Sequence, residues 1–160
     1  DFVIATFTVT DERKKSYNFT EPYFKDGVAL MVKKAANIQS LADLDGKKIG
    51  VAQSATSKQA LLDAMKEKGV KAEILEFGTY PEIKTALDSG RIDCFSVDGA
   101  ILAGYVDDST VILPDRYAPQ MYGIAAKKGN EGLTKLANDT IAAMQSSGEL
   151  GQLLDKWGLK

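Results

Sequence analysis

Three short stretches of the sequence carry side chains suited to holding a small charged molecule. In the first, residues 6–13, threonines alternate with apolar residues, and Arg13 follows five residues after Thr8. A guanidinium binds a carboxylate through two parallel hydrogen bonds, and the threonine hydroxyls and open backbone N–H groups of a strand end add further donors. This stretch therefore predicts a carboxylate site, and the alternative is a threonine-rich strand that ends in a solvated charged turn.

The other two stretches come where predicted strands end. Thr56 follows a polar loop and opens a helix, and Asp98 comes directly after an apolar strand. Free N–H groups at a helix start attract anions, and ligands of open α/β sheets sit at the carboxyl ends of strands, where Asp98 would pair with an ammonium group. The alternative is helix capping alone, by Thr56 in a capping box with Gln59 and by Asp98 for a helix over residues 99–105.

Two tyrosines are candidate walls of the same site. Tyr80 opens a predicted helix and Tyr122 lies in an extended segment, and each carries a hydroxyl on an otherwise apolar ring. For each tyrosine taken alone, core packing is the alternative interpretation.

Cys94 lies between apolar residues in the middle of a predicted strand, which indicates an inert core thiol. Trp157 lies on a helical apolar stripe and is also expected in the core.

The elements that position these residues follow from hydrophobic periodicity. Strands are predicted over residues 2–9, 28–34, 48–53, 72–77, 92–97 and 111–113. A helix over residues 57–68 ends at Gly69, and a second capping box, Thr79 with Glu82, opens the next helix. The alternation of strand and helix from residue 47 to residue 113 predicts a parallel sheet with helices on its faces, and a helical C-terminal part follows, interrupted at Gly148.

Composition removes several classes of function. The 160 residues carry a net charge of −2, so the sequence has no excess of positive charge with which to bind nucleic acid. The chain has no histidine and one cysteine, so the common catalytic triads, histidine-based metal sites and intrachain disulfides are excluded. No glycine-rich phosphate-binding motif occurs, and no apolar run reaches the length of a membrane span.

Five segments together resemble the polar amino-acid-binding proteins of ABC importers, and most of all their aspartate- and glutamate-binding members. They are residues 5–24, 40–57, 80–98, 119–129 and 153–160. The resemblance implies an α/β fold of the type II periplasmic-binding kind, with two lobes built on parallel-rich sheets. Lobe two is expected over residues 28–117, and lobe one in part, over residues 1–22 and 123–160. The chain would cross between the lobes at residues 22–27 and 118–122, which predicts a hinge.

The resemblance also implies which residues hold the backbone groups of an amino acid. Thr6, through its carbonyl, and Asp98 match positions that hold the α-ammonium group. Thr8 and Arg13 match positions that hold the α-carboxylate. Neither a cofactor nor a metal ion is implied, and no residue is assigned a catalytic role.

Three further residues match positions near the ligand side chain. Thr56 would contact a carboxylate at the helix start, and Tyr80 and Tyr122 would line the cleft as in the acidic-ligand members. The glutamine-binding members have a lysine and two glycines in the loop that here contains Ala52, Ser54 and Thr56. This departure favours an acidic ligand over glutamine.

The function implied is non-catalytic binding of aspartate or glutamate and its delivery to a membrane permease of an ABC importer. Such a protein would be periplasmic or extracellular, with or without a lipid anchor. The alternatives are a dehydratase-like enzyme on the same fold and the ligand-sensing ectodomain of a receptor. Family members carry a further segment upstream of the point that matches residue 1, so the apolar residues 2–9 are expected to pair with that segment or with a second copy of the chain.

Overall fold

The structure is a computed structural model, and it describes residues 1–53 and 55–159. These residues divide into two units. Unit 1 comprises residues 1–26 and 120–160, and unit 2 comprises residues 27–119. The chain therefore passes between the units twice.

Helices and strands alternate through most of the described chain. The strands are β1 (Phe2–Val3), β2 (Tyr17–Phe19), β3 (Phe24–Lys33), β4 (Lys48–Ala52), β5 (Glu73–Phe77), β6 (Cys94–Asp98), β7 (Thr110–Ile112), β8 (Tyr117–Tyr122) and β9 (Ala125–Lys127). The α-helices are α1 (Asp11–Lys14), α2 (Thr56–Lys68), α3 (Tyr80–Asp88), α4 (Gly99–Ala103), α5 (Glu131–Ser147) and α6 (Glu149–Lys156). Short 3₁₀ turns occur at Lys34–Ala36 and Leu41–Leu44.

The sheet of unit 2 is mixed. Its strand order is β5-β4-β6-β3-β7, in which β4 is parallel to both β5 and β6. These three strands are the ones joined by helical crossovers, as a parallel arrangement requires. The parallel arrangement predicted for residues 47–113 is present in β4, β5 and β6, and β7 runs in the same direction, whereas β3, which precedes that stretch, lies between β6 and β7 and is antiparallel to both.

Both faces of this sheet are buried, which explains the continuous apolar run in β3. Leu30 and Ile49 belong to a cluster that includes Leu61 of α2, whereas Met31 of β3 belongs to a cluster that includes Ile83 of α3. Gly50 permits the close approach of α3 to β4, because a Cβ atom there would lie 2.8 Å from Ile83 Cγ2. The helices therefore fix the strand ends of unit 2 from both sides.

Two helix ends have the local structure that the sequence predicts, the start of α3 and the end of α2. The side chain of Thr79 accepts a hydrogen bond from the backbone N–H of Glu82, and Glu82 Oε2 accepts one from the backbone N–H of Thr79. Gly69 ends α2 with a φ of 68°, a left-handed conformation that favours glycine. The capping box predicted for α3 is confirmed.

Unit 1 contains a small antiparallel sheet of order β1-β9-β2. The predicted strand over residues 2–9 is wrong beyond Val3, since residue 6 lies in a bend and Thr8 forms only an isolated bridge with Tyr122. The Phe7 ring packs 5.8 Å from the Tyr17 ring and 5.5 Å from the Phe19 ring. At the bend itself the backbone N–H of Phe7 donates to the carbonyl oxygen of Ala5 at 2.7 Å, so this N–H is not available to a neighbouring strand.

The helices of unit 1 leave apolar side chains in solvent. Ile141 is the only residue of α5 and α6 that is buried in the described chain. Trp157 is 68% exposed, so its predicted place in a core is wrong. Within residues 1–53 and 55–159, none of the helices combines the length and the apolar character needed to span a membrane.

Candidate functional site

Arg13 of unit 1 is held in place by two contacts. Its Nη1 atom donates a hydrogen bond to the carbonyl oxygen of Thr8 at 2.8 Å, and its Cζ atom lies 4.3 Å from the centroid of the Phe7 ring. Thr10 caps α1 by accepting from the backbone N–H of Arg13. Because a guanidinium has five N–H donors, this half-buried group keeps others with which to bind a carboxylate.

Thr8 contacts a residue that the sequence analysis did not identify. Its hydroxyl donates a buried hydrogen bond to Oε1 of Gln120 at 2.9 Å. The neighbouring backbone N–H of Val9 donates to the carbonyl oxygen of Met121 at 2.8 Å. Gln120 lies 112 residues from Thr8 in sequence, so no local pattern could have linked the two.

Thr6 and Tyr122 differ in their surroundings. Thr6 is exposed in a bend, whereas Tyr122 is buried in β8. The Tyr122 hydroxyl donates to Oδ2 of Asp26 at 3.2 Å, and its ring lies 5.8 Å from that of Phe24. Tyr122 therefore packs within unit 1, and its role as a cleft-lining residue stays a prediction.

Asp98 of unit 2 ends β6 and immediately precedes α4. It is 5% exposed, and its side chain makes no capping hydrogen bond to that helix. Asp98 occupies the N-cap position of α4, and that helix ends at Ala103, before the residue 105 that the sequence predicts. A carboxylate placed at a strand end in this way suits an ammonium group.

Thr56 is the first residue of α2, and its N-cap is Ala55. The capping box predicted for Thr56 and Gln59 is wrong, because the helix begins one residue too early for it, and Gln59 Nε2 instead donates to Asp63 Oδ1 at 2.9 Å. The parallel pairing of β4 with β6 brings their carboxyl ends to the same edge of the sheet. Thr56 and Asp98 follow those two ends, and Ser54 lies outside the described residues.

Tyr80 belongs to an aromatic group at the same end of unit 2. Its ring is stacked 6.3 Å from that of Phe95 and lies 6.5 Å from that of Tyr105. Burial raises the pKa of Tyr80, and the negative charge of Asp98 and the neighbouring Tyr105 raise it further. The structure therefore brings Tyr80 and Asp98 together, and it adds Tyr105, which the sequence analysis had assigned only to a helix.

Lys84 connects α3 to the turn that precedes β7. Its Nζ atom donates to Asp88 Oδ1 at 2.6 Å and to Asp107 Oδ2 at 2.7 Å. Burial alone would lower the pKa of Lys84, but the hydrogen bonds to Asp107 and Asp88 raise it overall. This bridge fixes the helix that begins with Tyr80.

Cys94 has no part in this arrangement. It is fully buried in β6, and burial raises the pKa of its thiol. The predicted core position of Cys94 is confirmed, and the raised pKa disfavours the thiolate, which is the reactive form of cysteine.

Comparison with known proteins identifies relatives along the whole chain. The chain is 38% identical over 160 residues to the ABC transporter glutamine-binding protein GlnH of Bacillus subtilis, covering 98% of this chain and 57% of that protein. It is 32% identical over 162 residues to the glutamate/aspartate import solute-binding protein of Salmonella typhimurium, covering 98% of this chain and 54% of that protein. The chain thus spans a little over half the length of these relatives.

Solved structures agree with the sequence relatives. An ancestral arginine-binding protein bound to arginine superposes with a TM-score of 0.81 at 36% identity, covering 98% of this chain and 71% of that one. Residues 1–160 match the family described as bacterial extracellular solute-binding proteins, family 3. The chain therefore belongs to this family and has the periplasmic-binding-protein-like α/β fold that the sequence predicts.

Proposed function

We propose that the protein binds a small amino acid without chemical conversion and delivers it to the permease of an ABC importer, outside the cytoplasm. Two observations carry this proposal, one in each unit: the guanidinium of Arg13 is held within unit 1, and the carboxylate of Asp98 is buried at a strand end of unit 2. They complement the α-carboxylate and the α-ammonium of an amino acid. The names of the relatives and the family description support the same function.

The proposal includes a hinge. The chain leaves unit 1 after Asp26 and returns at Gln120, which supports a hinge at residues 22–27 and 118–122. Ala118 has a φ of 42°, a left-handed conformation that is uncommon outside glycine. A ligand that touches both units would favour the arrangement in which both sets of contacts are made.

Among the ligands of the relatives, we propose that this chain prefers aspartate or glutamate. Thr56 and Tyr80 are hydroxyl donors near Asp98 at the carboxyl-end edge of the unit 2 sheet, and donors suit a carboxylate better than an amide. The raised pKa of Tyr80 keeps its hydroxyl protonated at neutral pH, which supports a donor role rather than that of a catalytic base.

Calorimetric titration of the protein with aspartate, glutamate, glutamine, arginine and cystine tests both the proposed binding of an amino acid and the proposed preference for an acidic one. We expect aspartate or glutamate to bind most tightly, and the Tyr80→Phe variant to lose part of its preference for glutamate over glutamine. Tyr105→Phe is the matched control, because its ring contacts Tyr80 and Phe95 in the same aromatic group. Tighter binding of glutamine or arginine than of both acidic amino acids contradicts the acidic preference, and binding of none contradicts the function itself.

A second partner is proposed for the apolar surface of unit 1. A groove of about 400 Å³ there is lined without any charged side chain, and its walls include Phe2, Ile4, Leu133, Leu136 and Met144. Phe2 is 51% exposed and Leu136 is 63% exposed. In the described sheet β1 is an outer strand, and we propose that a second copy of the chain pairs with this edge and covers the groove.

The expected result is a concentration-dependent dimer of the 160-residue chain, measured as mass by light scattering. Leu136→Lys places a charge in the groove and is expected to shift the mass toward that of the monomer. Val106→Lys is the control, because Val106 is 43% exposed but lies in unit 2. A parent chain that stays monomeric at all concentrations would show that a second copy does not cover this groove.

A further inference from the structure

Lys84 of α3 is largely withdrawn from solvent although it is charged. Its side chain is 13% exposed, and its ammonium group is bound by the carboxylates of Asp88 and Asp107. Asp88 belongs to the same helix, so that bond is a contact within α3. Asp107 belongs to the turn that precedes β7, so the second bond joins α3 to a different part of unit 2. A cation withdrawn from water depends on such partners, because loss of one leaves a costly unpaired charge.

Asp107 is held in turn by its own neighbours. Its Oδ1 atom accepts hydrogen bonds from the backbone N–H of Ser109 at 2.9 Å and from the hydroxyls of Ser109 and Thr110 at 2.8 and 3.0 Å. Thr110 begins β7 and pairs with Lys33 of β3, so this turn is anchored to the sheet. The two oxygens of Asp107 therefore have separate roles, since Oδ1 closes the turn and Oδ2 binds Lys84.

Both ends of this connection lead to the aromatic group of unit 2. Tyr80 precedes Lys84 by four residues in α3, and residues at this spacing are neighbours on the surface of a helix. Tyr105 precedes Asp107 by two residues, and its ring lies 6.5 Å from that of Tyr80. The apolar packing of α3 is non-directional, whereas the bond from Lys84 to Asp107 is directional. This bond thus relates the position of α3 to that of the segment that carries Tyr105.

We propose that Lys84 is a positioning residue, which through its bond to Asp107 places the Tyr80 hydroxyl where it meets the side chain of the ligand. The inference rests on the proposed function, because it takes Tyr80 to be a donor to that side chain. Tyr80 lies close enough to Asp98 for the negative charge of Asp98 to raise its pKa. A displacement of α3 would change the distance between these two groups, so Lys84 influences selectivity without contacting the ligand.

The test compares Asp107→Asn with Asp88→Asn, which remove one negative charge each from the two partners of Lys84. In Asp107→Asn the amide oxygen still closes the turn, while an NH₂ donor replaces the oxygen that binds the ammonium group. In Asp88→Asn the link to Asp107 remains, and the backbone carbonyl of residue 88 still accepts from Lys33 Nζ at 2.6 Å. Titration calorimetry measures the ratio of the glutamine to the glutamate dissociation constant. We expect Asp107→Asn to lower this ratio about threefold to tenfold and Asp88→Asn to change it less than about twofold.

The Tyr80→Phe background separates positioning from a general loss of stability. Without the Tyr80 hydroxyl, Asp107→Asn should have little further effect on the ratio, because the group that it displaces is gone. In NMR spectra the ring signals of Tyr80, identified by their loss in Tyr80→Phe, should shift in Asp107→Asn and stay in place in Asp88→Asn. Equal changes of the ratio in both backgrounds, unchanged Tyr80 signals, or a larger change for Asp88→Asn than for Asp107→Asn overturn the inference.

A second variant covers the case in which thermal unfolding shows that Asp107→Asn does not fold. Lys84→Met removes the same bond from the other side and keeps an unbranched apolar side chain, and an unchanged ratio in this variant overturns the inference.

The proposed function can fail separately. Binding of no amino acid by the parent protein overturns both the function and this inference. A ratio that falls in Tyr80→Phe but stays unchanged in Asp107→Asn overturns the inference alone. A ratio that is unchanged in Tyr80→Phe also overturns it, because Tyr80 would then not be a donor to the ligand side chain.

Discussion

Removal of the Arg13 side chain is expected to abolish most of the affinity for an amino acid. The guanidinium is held by the Thr8 carbonyl and the Phe7 ring before any ligand arrives, so little ordering cost remains at binding. Truncating one member of a buried charge pair costs about 2–5 kcal/mol, which corresponds to roughly 30-fold to several thousandfold in dissociation constant. Titration calorimetry of Arg13→Ala with the tightest ligand of the panel measures this loss.

Asp98→Asn should give a loss of the same order, because it removes the charge that faces the ammonium group while keeping the side-chain shape. Arg91→Ala is the matched control for Arg13, since the Arg91 Cζ atom also lies over an aromatic ring, 5.6 Å from the centroid of Phe77. Asp108→Asn is the control for Asp98 at an exposed position. Normal binding by both Arg13→Ala and Asp98→Asn would place the ligand site elsewhere.

Local chemistry made part of this architecture predictable. The Thr79–Glu82 capping box and the glycine at the end of α2 depend on residues a few positions apart, and both appear where the sequence predicts them. The capping box predicted at Thr56 has the same spacing but is absent. The two sequence patterns have the same spacing, so spacing alone does not determine where a helix begins.

Features that depend on distant partners were not predictable from the sequence. Residues 2–9 have the composition of a strand, yet the strand ends at Val3 and the ring of Phe7 packs against those of Tyr17 and Phe19, ten and twelve residues further along the chain. The bond between Thr8 and Gln120 joins residues 112 positions apart. The candidate residues were found through side-chain chemistry, whereas the residues that orient them belong to tertiary structure.

The second large effect is expected at Phe95, beneath the aromatic group of unit 2. Phe95 is fully buried in β6, and its ring contacts those of Tyr80 and Tyr105 at 6.3 and 5.9 Å. Replacing it with alanine removes a large core side chain and leaves a cavity that the packed helices α3 and α4 cannot easily close. Phe→Ala changes in cores cost about 3–5 kcal/mol in the free energy of unfolding.

Denaturant unfolding of Phe95→Ala measures this cost. Phe95→Leu is the graded control, because it keeps most of the apolar volume and should lose much less stability.

Phe95→Ala is also expected to change ligand discrimination. Without the Phe95 ring, Tyr80 loses its stacking partner, so the surviving folded protein should discriminate less well between glutamate and glutamine than the parent does. A free energy of unfolding within about 1 kcal/mol of the parent would mean that the aromatic group is not the support on which Tyr80 depends. Weakened stability with unchanged discrimination would assign Phe95 to the core alone and leave the orientation of Tyr80 to the Lys84 bridge with Asp88 and Asp107.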